Sequence, residues 1–431
     1  PAPHGLPRIP IDVFISEPGF DQYQTRERSG TSLLAFAVND DLTLRQNLRY
    51  SQTEVDYRTM YGQFPPTLQP NGDLPRVAYA NKPELDALTM DNQAELLLGS
   101  GNIRHRVLAG VDYQHAVSQA RSAFNGNAGA INVYNPVYGG FNGFSPADFN
   151  EGPENTVSQL GVYLQDEVTI AERWVTTLGI RRDETENRTE GRADQEDDAV
   201  TGRAALLYNA DNGLSPYISY SESFQPVIGT NVFGESFKPL EGEQIEVGLK
   251  YQPPGSNSLY TAAIYDLRQK NVRAPDPNNP QNQIQTGEAR SRGIELEALA
   301  EISPSWDVIA AYTYTDTEVL EGVNEGNHLA SVPEQTASLW SQHDLTIAGL
   351  PGLRAGAGVR YVGDNYGGVD TLKTPGVTLF DAMLGYAVGR WDFRLNVNNI
   401  EDETYFTTCL TRGDCFVGTK RTVIGTVAVT F

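Results

Sequence analysis

Apolar and polar residues alternate one by one through most of the chain. In WDFRLNVNN, Trp391, Phe393, Leu395 and Val397 fall on one face of an extended strand, and Asp392, Arg394, Asn396 and Asn398 on the other. QIEVGLKY sets Ile245, Val247, Leu249 and Tyr251 against Gln244, Glu246 and Lys250, and GIELEALAEI sets Ile294, Leu296, Ala298, Ala300 and Ile302 against Glu295, Glu297 and Glu301. The closing TVIGTVAVTF does the same, with Val423, Val427, Val429 and Phe431 opposite Thr422, Thr426 and Thr430. A period of two predicts half-buried strands, and no helical period is long enough to predict helices. The polar faces carry full charges of both signs, as either a water-facing sandwich or a hydrated barrel interior would.

The connections separate those two readings. Short ones fall near 39–41, 99–102, 170–173, 209–213, 253–257, 303–305, 347–352 and 388–390. Long ones fall near 58–84, 120–155, 187–199, 225–241, 272–288, 317–331, 363–376 and 405–420. Short turns on one rim and long loops on the other predict an all-β, antiparallel transmembrane barrel of the outer-membrane type. The spacing gives about 17 strands, the first around 26–39. An odd count, ending on the short-turn side, leads us to expect further strands upstream, because such barrels have even counts with both ends on that side.

Composition agrees. Among 431 residues there are 41 Gly and 21 Tyr but only 3 Met and 2 Cys, with no composition shift to mark a domain boundary. No apolar run reaches the roughly 18 residues of a membrane helix. A net charge of −23 argues against a nucleic-acid partner. The five histidines, His4, His105, His115, His328 and His343, lack metal-ligand spacing, and no nucleophile–base pattern predicts an enzyme. The acidic run 183–198 is expected to be a solvated loop tip.

INVYNPVY (131–138), PYISYSESFQP (216–226), EGEQIEVGLKYQP (241–253), GEARSRGIELEA (287–298), VPEQTASLW (332–340) and NVNNIEDETYF (396–406) occur in that order. Together with the final TTCLTRGDCFVGTKRTVIGTVAVTF they resemble the barrel of TonB-dependent siderophore receptors, the ferrichrome (ferric hydroxamate) type in particular. The resemblance runs along essentially all of residues 1–431. It implies part of a barrel of some 22 strands, with a signal peptide, TonB box, plug domain and first strands lying upstream of this sequence. It further implies a monomeric receptor in the bacterial outer membrane that imports an Fe(III)–siderophore complex through TonB. Such a receptor has no covalent cofactor, stands in outer-membrane lipid, and is inserted by BAM-type machinery that reads the terminal aromatic, here Phe431. The charged inner rows, including Glu246, Lys250, Glu295, Glu297, Asp392 and Arg394, would face the plug.

By motif position the resemblance carries ligand contact to the loop aromatics Tyr61, Phe64 and Phe124. Just after the first cysteine the family often has an aromatic. This chain has Leu410 there, and Phe416 follows the second cysteine. Cys409 and Cys415 are expected to form a disulfide shaping the last loop. The other place for these aromatics is the girdle at the membrane rim. A neutral hydroxamate suits the aromatic stretches 56–64 and 123–144, where the cations at hand are Arg58 and Arg121. The rival readings are a passive outer-membrane porin, and a TonB-dependent receptor for a catecholate siderophore or vitamin B12.

Overall fold

The computed structural model describes residues 5–431 apart from 65–66, 228–230, 232–235, 277–278, 286, 323, 348–349 and 412–414. One antiparallel sheet of 19 strands dominates it. Two of these, Ala130–Asn132 and Asn150–Glu151, are short pieces of a single loop. The remaining 17 follow the chain: β1 (Gln22–Ala37), β2 (Leu42–Gly62), β3 (Asp73–Ser100), β4 (Ile103–Asn125), β5 (Asn155–Ile170), β6 (Trp174–Thr189), β7 (Gln195–Tyr208), β8 (Leu214–Gln225), β9 (Leu240–Tyr251), β10 (Leu259–Lys270), β11 (Glu288–Ser303), β12 (Trp306–Glu321), β13 (Gln335–Ile347), β14 (Leu350–Val362), β15 (Val377–Val388), β16 (Trp391–Asn398) and β17 (Thr422–Val429). Each pairs with its sequence neighbours, the all-next-neighbour topology of an up-and-down barrel. Among the described residues β1 pairs only with β2 and β17 only with β16, so the sheet has two open edges.

Register assigns the faces. Leu206, Ile218, Val247, Ile264, Ile294 and Tyr314 stand directly opposite one another across β7 to β12. All six are exposed. A bare apolar row across six strands is a lipid-facing surface. On the opposite face Asn47, Asp91, Asp112, Gly161 and Asp183 form a row across β2 to β6. Arg181 bridges Asp112 and Asp183 there. Gln159 donates to Asp183 (2.7 Å), and the Tyr163 hydroxyl to Asp91 (2.8 Å). This inner face lines a cavity of about 840 Å³. Gly110 and Gly248 are needed on it, because a Cβ at either would overlap the ring of Tyr163 or Tyr217.

The short turns fall where the alternation breaks, although part of the 347–352 connection lies outside the described residues. The long connections are shorter than the sequence pattern suggests. The expected loop 58–84 is mostly strand, since β2 continues to Gly62 and β3 opens at Asp73. The acidic run 183–198 is likewise mostly the β6–β7 hairpin rather than a loop tip, with Asp183 buried in the inner row. β3 has 28 residues, whereas about 10 suffice to cross a bilayer. The excess stands beyond the membrane, where chain segments rather than lipid cover the outer face of β2 to β4 and alternation no longer reports a strand.

Candidate ligand-binding site

The inward face can be followed upward along β1 to β4 without a register change. Asn47 and Arg49 belong to the inner wall, so every second residue above them, including Tyr57 and Tyr61, faces the same way. Tyr79 and Val77 continue the face on β3, Phe124 on β4, and Tyr23 pairs with Tyr57 from β1. The result is an aromatic ladder at the long-loop end. Ring centroids are 5.8 Å apart for Tyr23–Tyr57 and 6.2 Å for Tyr57–Tyr79, both edge-on. Phe124 stands directly opposite Tyr79 and is 62% exposed. The intervening inward residues, Thr25, Val55, Thr59, Val77, Asn81 and Ser122, carry no charge, and the carboxylate beside them is Asp21, which accepts from the Thr59 hydroxyl (3.0 Å).

The cations lie on the other face. Arg58 donates to Asp56 (2.8 Å), Lys82 lies 3.9 Å from the same carboxylate, and Arg121 lies 3.5 Å from Glu84. Here the segment preceding β1 and the 126–154 loop pack on the outer flank of β2 to β4. Phe20, Met60, Ala78 and Ala128 form a small core joined by Phe141 and Phe144. A fully buried ion pair anchors it: Arg76 Nη2 lies 2.9 Å from Glu17 Oε1, and its Nη1 donates to the carbonyl of Ile15 (2.9 Å). Glu17 Oε2 accepts from the Gly139 amide (2.7 Å). Burial pushes the Glu17 carboxyl pKa up, but the Gly139 amide and the Arg76 guanidinium outweigh it and hold it below the usual carboxylate range.

The sequence-predicted residues separate into two groups. Tyr61 and Phe124 share the inward face. Phe64 lies beyond the end of β2 and is exposed. Leu410 and Phe416 lie in a different loop group, after β16, at the far end of the sheet order from β2. Cys409 and Cys415 form the expected disulfide between the short strands Phe406–Cys409 and Cys415–Val417. That hairpin is tied to the loop after β14, with the Cys409 amide donating to Thr374 Oγ1 (2.8 Å) and Asn365 Nδ2 to the Thr407 carbonyl (2.9 Å). The sequence reading missed Tyr23 and Tyr79. Tyr79 lies inside a stretch read as loop, where the local alternation Val77, Tyr79, Asn81 against Ala78 and Ala80 was the available signal.

Among the described residues no group of His, Cys, Asp or Glu could hold a metal, and no helix is long and apolar enough to cross a membrane. A lipid-facing apolar exterior, a charged interior and an inward aromatic rim define an outer-membrane receptor barrel. Residues 6–400 match the TonB dependent receptor-like β-barrel family, and the chain belongs to it. All of the chain aligns with the ferrioxamine B receptor of Salmonella typhimurium, at 33% identity over 62% of that protein. The ferrichrome outer membrane transporter/phage receptor of Escherichia coli gives the same identity and coverage. Among solved structures, the siderophore receptor PiuA of Acinetobacter baumannii superposes with a TM-score of 0.83 at 23% identity, over 97% of this chain and 67% of that one. The chain thus spans about 62% of the length of these curated relatives. The family is one of outer-membrane transport receptors and not of enzymes.

Proposed function

We propose that these residues form the C-terminal part of the barrel of a TonB-dependent receptor that imports a ferric siderophore, with a neutral hydroxamate of the ferrichrome type as cargo. The observation that carries this reading is the aromatic ladder Tyr23–Tyr57–Tyr79, with Phe124 and Tyr61 on the same inward face and no cation among the inward residues between them. Aromatic rings give large apolar contact with little entropy to lose, which suits a neutral chelate. The outward and carboxylate-paired placement of Arg58, Lys82 and Arg121 supports the same cargo, since an anionic catecholate complex favours unpaired inward cations. Two of the relatives are named for ferrioxamine B and for ferrichrome. Family membership favours a gated receptor over a passive pore. In the intact protein the plug and TonB box would lie N-terminal to this chain, and TonB would move the plug. Phe64, Leu410 and Phe416 would take secondary places at the rim. No covalent cofactor enters the scheme, and Phe431 would be the insertion signal of a monomeric barrel.

The test uses the full-length gene in an iron-starved host lacking its own receptors. Uptake of labelled iron from hydroxamate, catecholate and citrate-type siderophores is measured with and without TonB. TonB-dependent hydroxamate uptake is the expected outcome. Uptake of a catecholate alone would keep the receptor and overturn the cargo.

A further inference from the structure

The second loop group holds an arrangement with no role in the aromatic site. His328, in the loop after β12, is 25% exposed and stacks on Tyr366 of the loop after β14, with centroids 4.5 Å apart. Its Nδ1 lies 2.9 Å from Asp370 Oδ2, and its Nε2 lies 3.7 Å from Glu334 Oε1. Both ring nitrogens therefore face carboxylates. A neutral imidazole has one N–H, which the Asp370 carboxylate takes; only the imidazolium presents an N–H to both, hydrogen-bonded to Asp370 and charge-paired with Glu334 at 3.7 Å.

The backbone makes the same junction. The His328 amide donates to Asp370 Oδ1 (3.0 Å), Ser331 to the Tyr366 carbonyl (2.8 Å) and Glu334 to the Asp364 carbonyl (3.2 Å). The third loop joins through Ser331 and Thr408, whose hydroxyls are 2.8 Å apart, and through the contacts of Cys409 and Thr407 described above. The charged and titratable groups around the ring are Asp370 and Glu334, the phenol of Tyr366, and Lys373, which lies 5.7 Å from the centre of the Tyr366 ring and pairs with Asp364 (2.6 Å). None of these residue types changes charge between about pH 5 and 8; histidine does.

We propose that His328 is a pH-sensitive latch between the loops after β12 and β14, and through them on the disulfide hairpin. Protonation of the ring engages Glu334 as well as Asp370 and cinches the three loops together. As the pH rises the Glu334 contact is lost, while the neutral ring stays on Asp370. The latch is independent of which cargo the receptor takes.

Amide hydrogen exchange on the full-length protein in lipid vesicles tests it, with rates corrected for the intrinsic pH dependence of exchange. The Ser331 and Glu334 amides should gain roughly three-fold protection from pH 8 to pH 5.5, the scale of a half-exposed ion pair. The gain should vanish in H328Q. In E334Q it should also vanish, while protection at pH 8 stays that of the parent. Should H328Q fail to insert, the parent and E334Q decide alone. A parent with no gain, or an E334Q protein that keeps it, would overturn the latch.

Discussion

The two rims of the sheet use the same residue types on opposite faces. At the short-turn rim Trp174 meets Tyr208 at 4.5 Å, Tyr251 meets Tyr260 at 6.1 Å and Trp306 stacks on His343 at 5.0 Å. Register with Leu206, Val247 and Tyr314 puts these pairs on the lipid face. At the long-loop rim Tyr23, Tyr57, Tyr79 and Phe124 point the other way, continuous with the charged interior. Outward aromatics have the lipid interface to anchor in. Inward ones have only water, a plug or a ligand to meet. Position along the barrel axis does not separate girdle from binding surface; the face does, and a single residue of register decides the face.

The largest test of this contrast concerns what holds the long-loop rim in place. Arg76→Ala would leave Glu17 buried without its partner, at a cost of about 3–5 kcal/mol. The segment preceding β1 should then release from the flank of β2 to β4, read as fast exchange and protease cleavage near residues 10–20, while the short-turn rim keeps its protection. Acid should do the same more gently. Because Glu17 titrates lower in the folded protein than in the unfolded chain, its contribution is full above the ordinary carboxylate range and is lost as the pH falls through the lowered value. Exchange at the Gly139 amide, measured between pH 6 and 3, should rise over that lower window, and Glu17→Gln should flatten the response.

The ladder itself comes next. Tyr79→Ala should weaken cargo binding about 10-fold, or ~1.4 kcal/mol, with unchanged insertion, measured by titration of ferric hydroxamate onto the full-length receptor. Tyr251→Ala should leave binding untouched. Equal losses in both variants would mean that the inward face has no special part in recognition.

Much of this was legible in the sequence because the bilayer enforces alternation. Where lipid touches one face, as at Val247 or Leu395, the period of two is strict and the strands and short turns were read correctly. Above the membrane no lipid meets β2, β3, β6 and β7, the constraint lapses, and the sequence pattern there reads as loop. Motif position points to Tyr61 and Phe124 but not to Tyr79, between them in the sheet, because its neighbours are set by cross-strand register. The Arg181–Asp112–Asp183 bridge was hidden for the same reason: its members are 69 and 2 residues apart along the chain. The disulfide, six residues from end to end, was local and was read directly.

The smallest effect sharpens the contrast from the other rim. Trp174 is 45% exposed and its ring packs on Tyr208 rather than on anything inside the sheet. Trp174→Ala should cost about 0.5–1.5 kcal/mol, the value of an aromatic pair beyond its buried area, in folding titrations of the full-length receptor into vesicles. It should change neither cargo affinity nor TonB-dependent uptake. The loss should also shrink when Tyr208 is already alanine, since the pair and not the single ring is the unit across two strands. A Trp174 variant that folds normally but binds cargo poorly would mean that the rims communicate, and that the assignment of function by face is too simple.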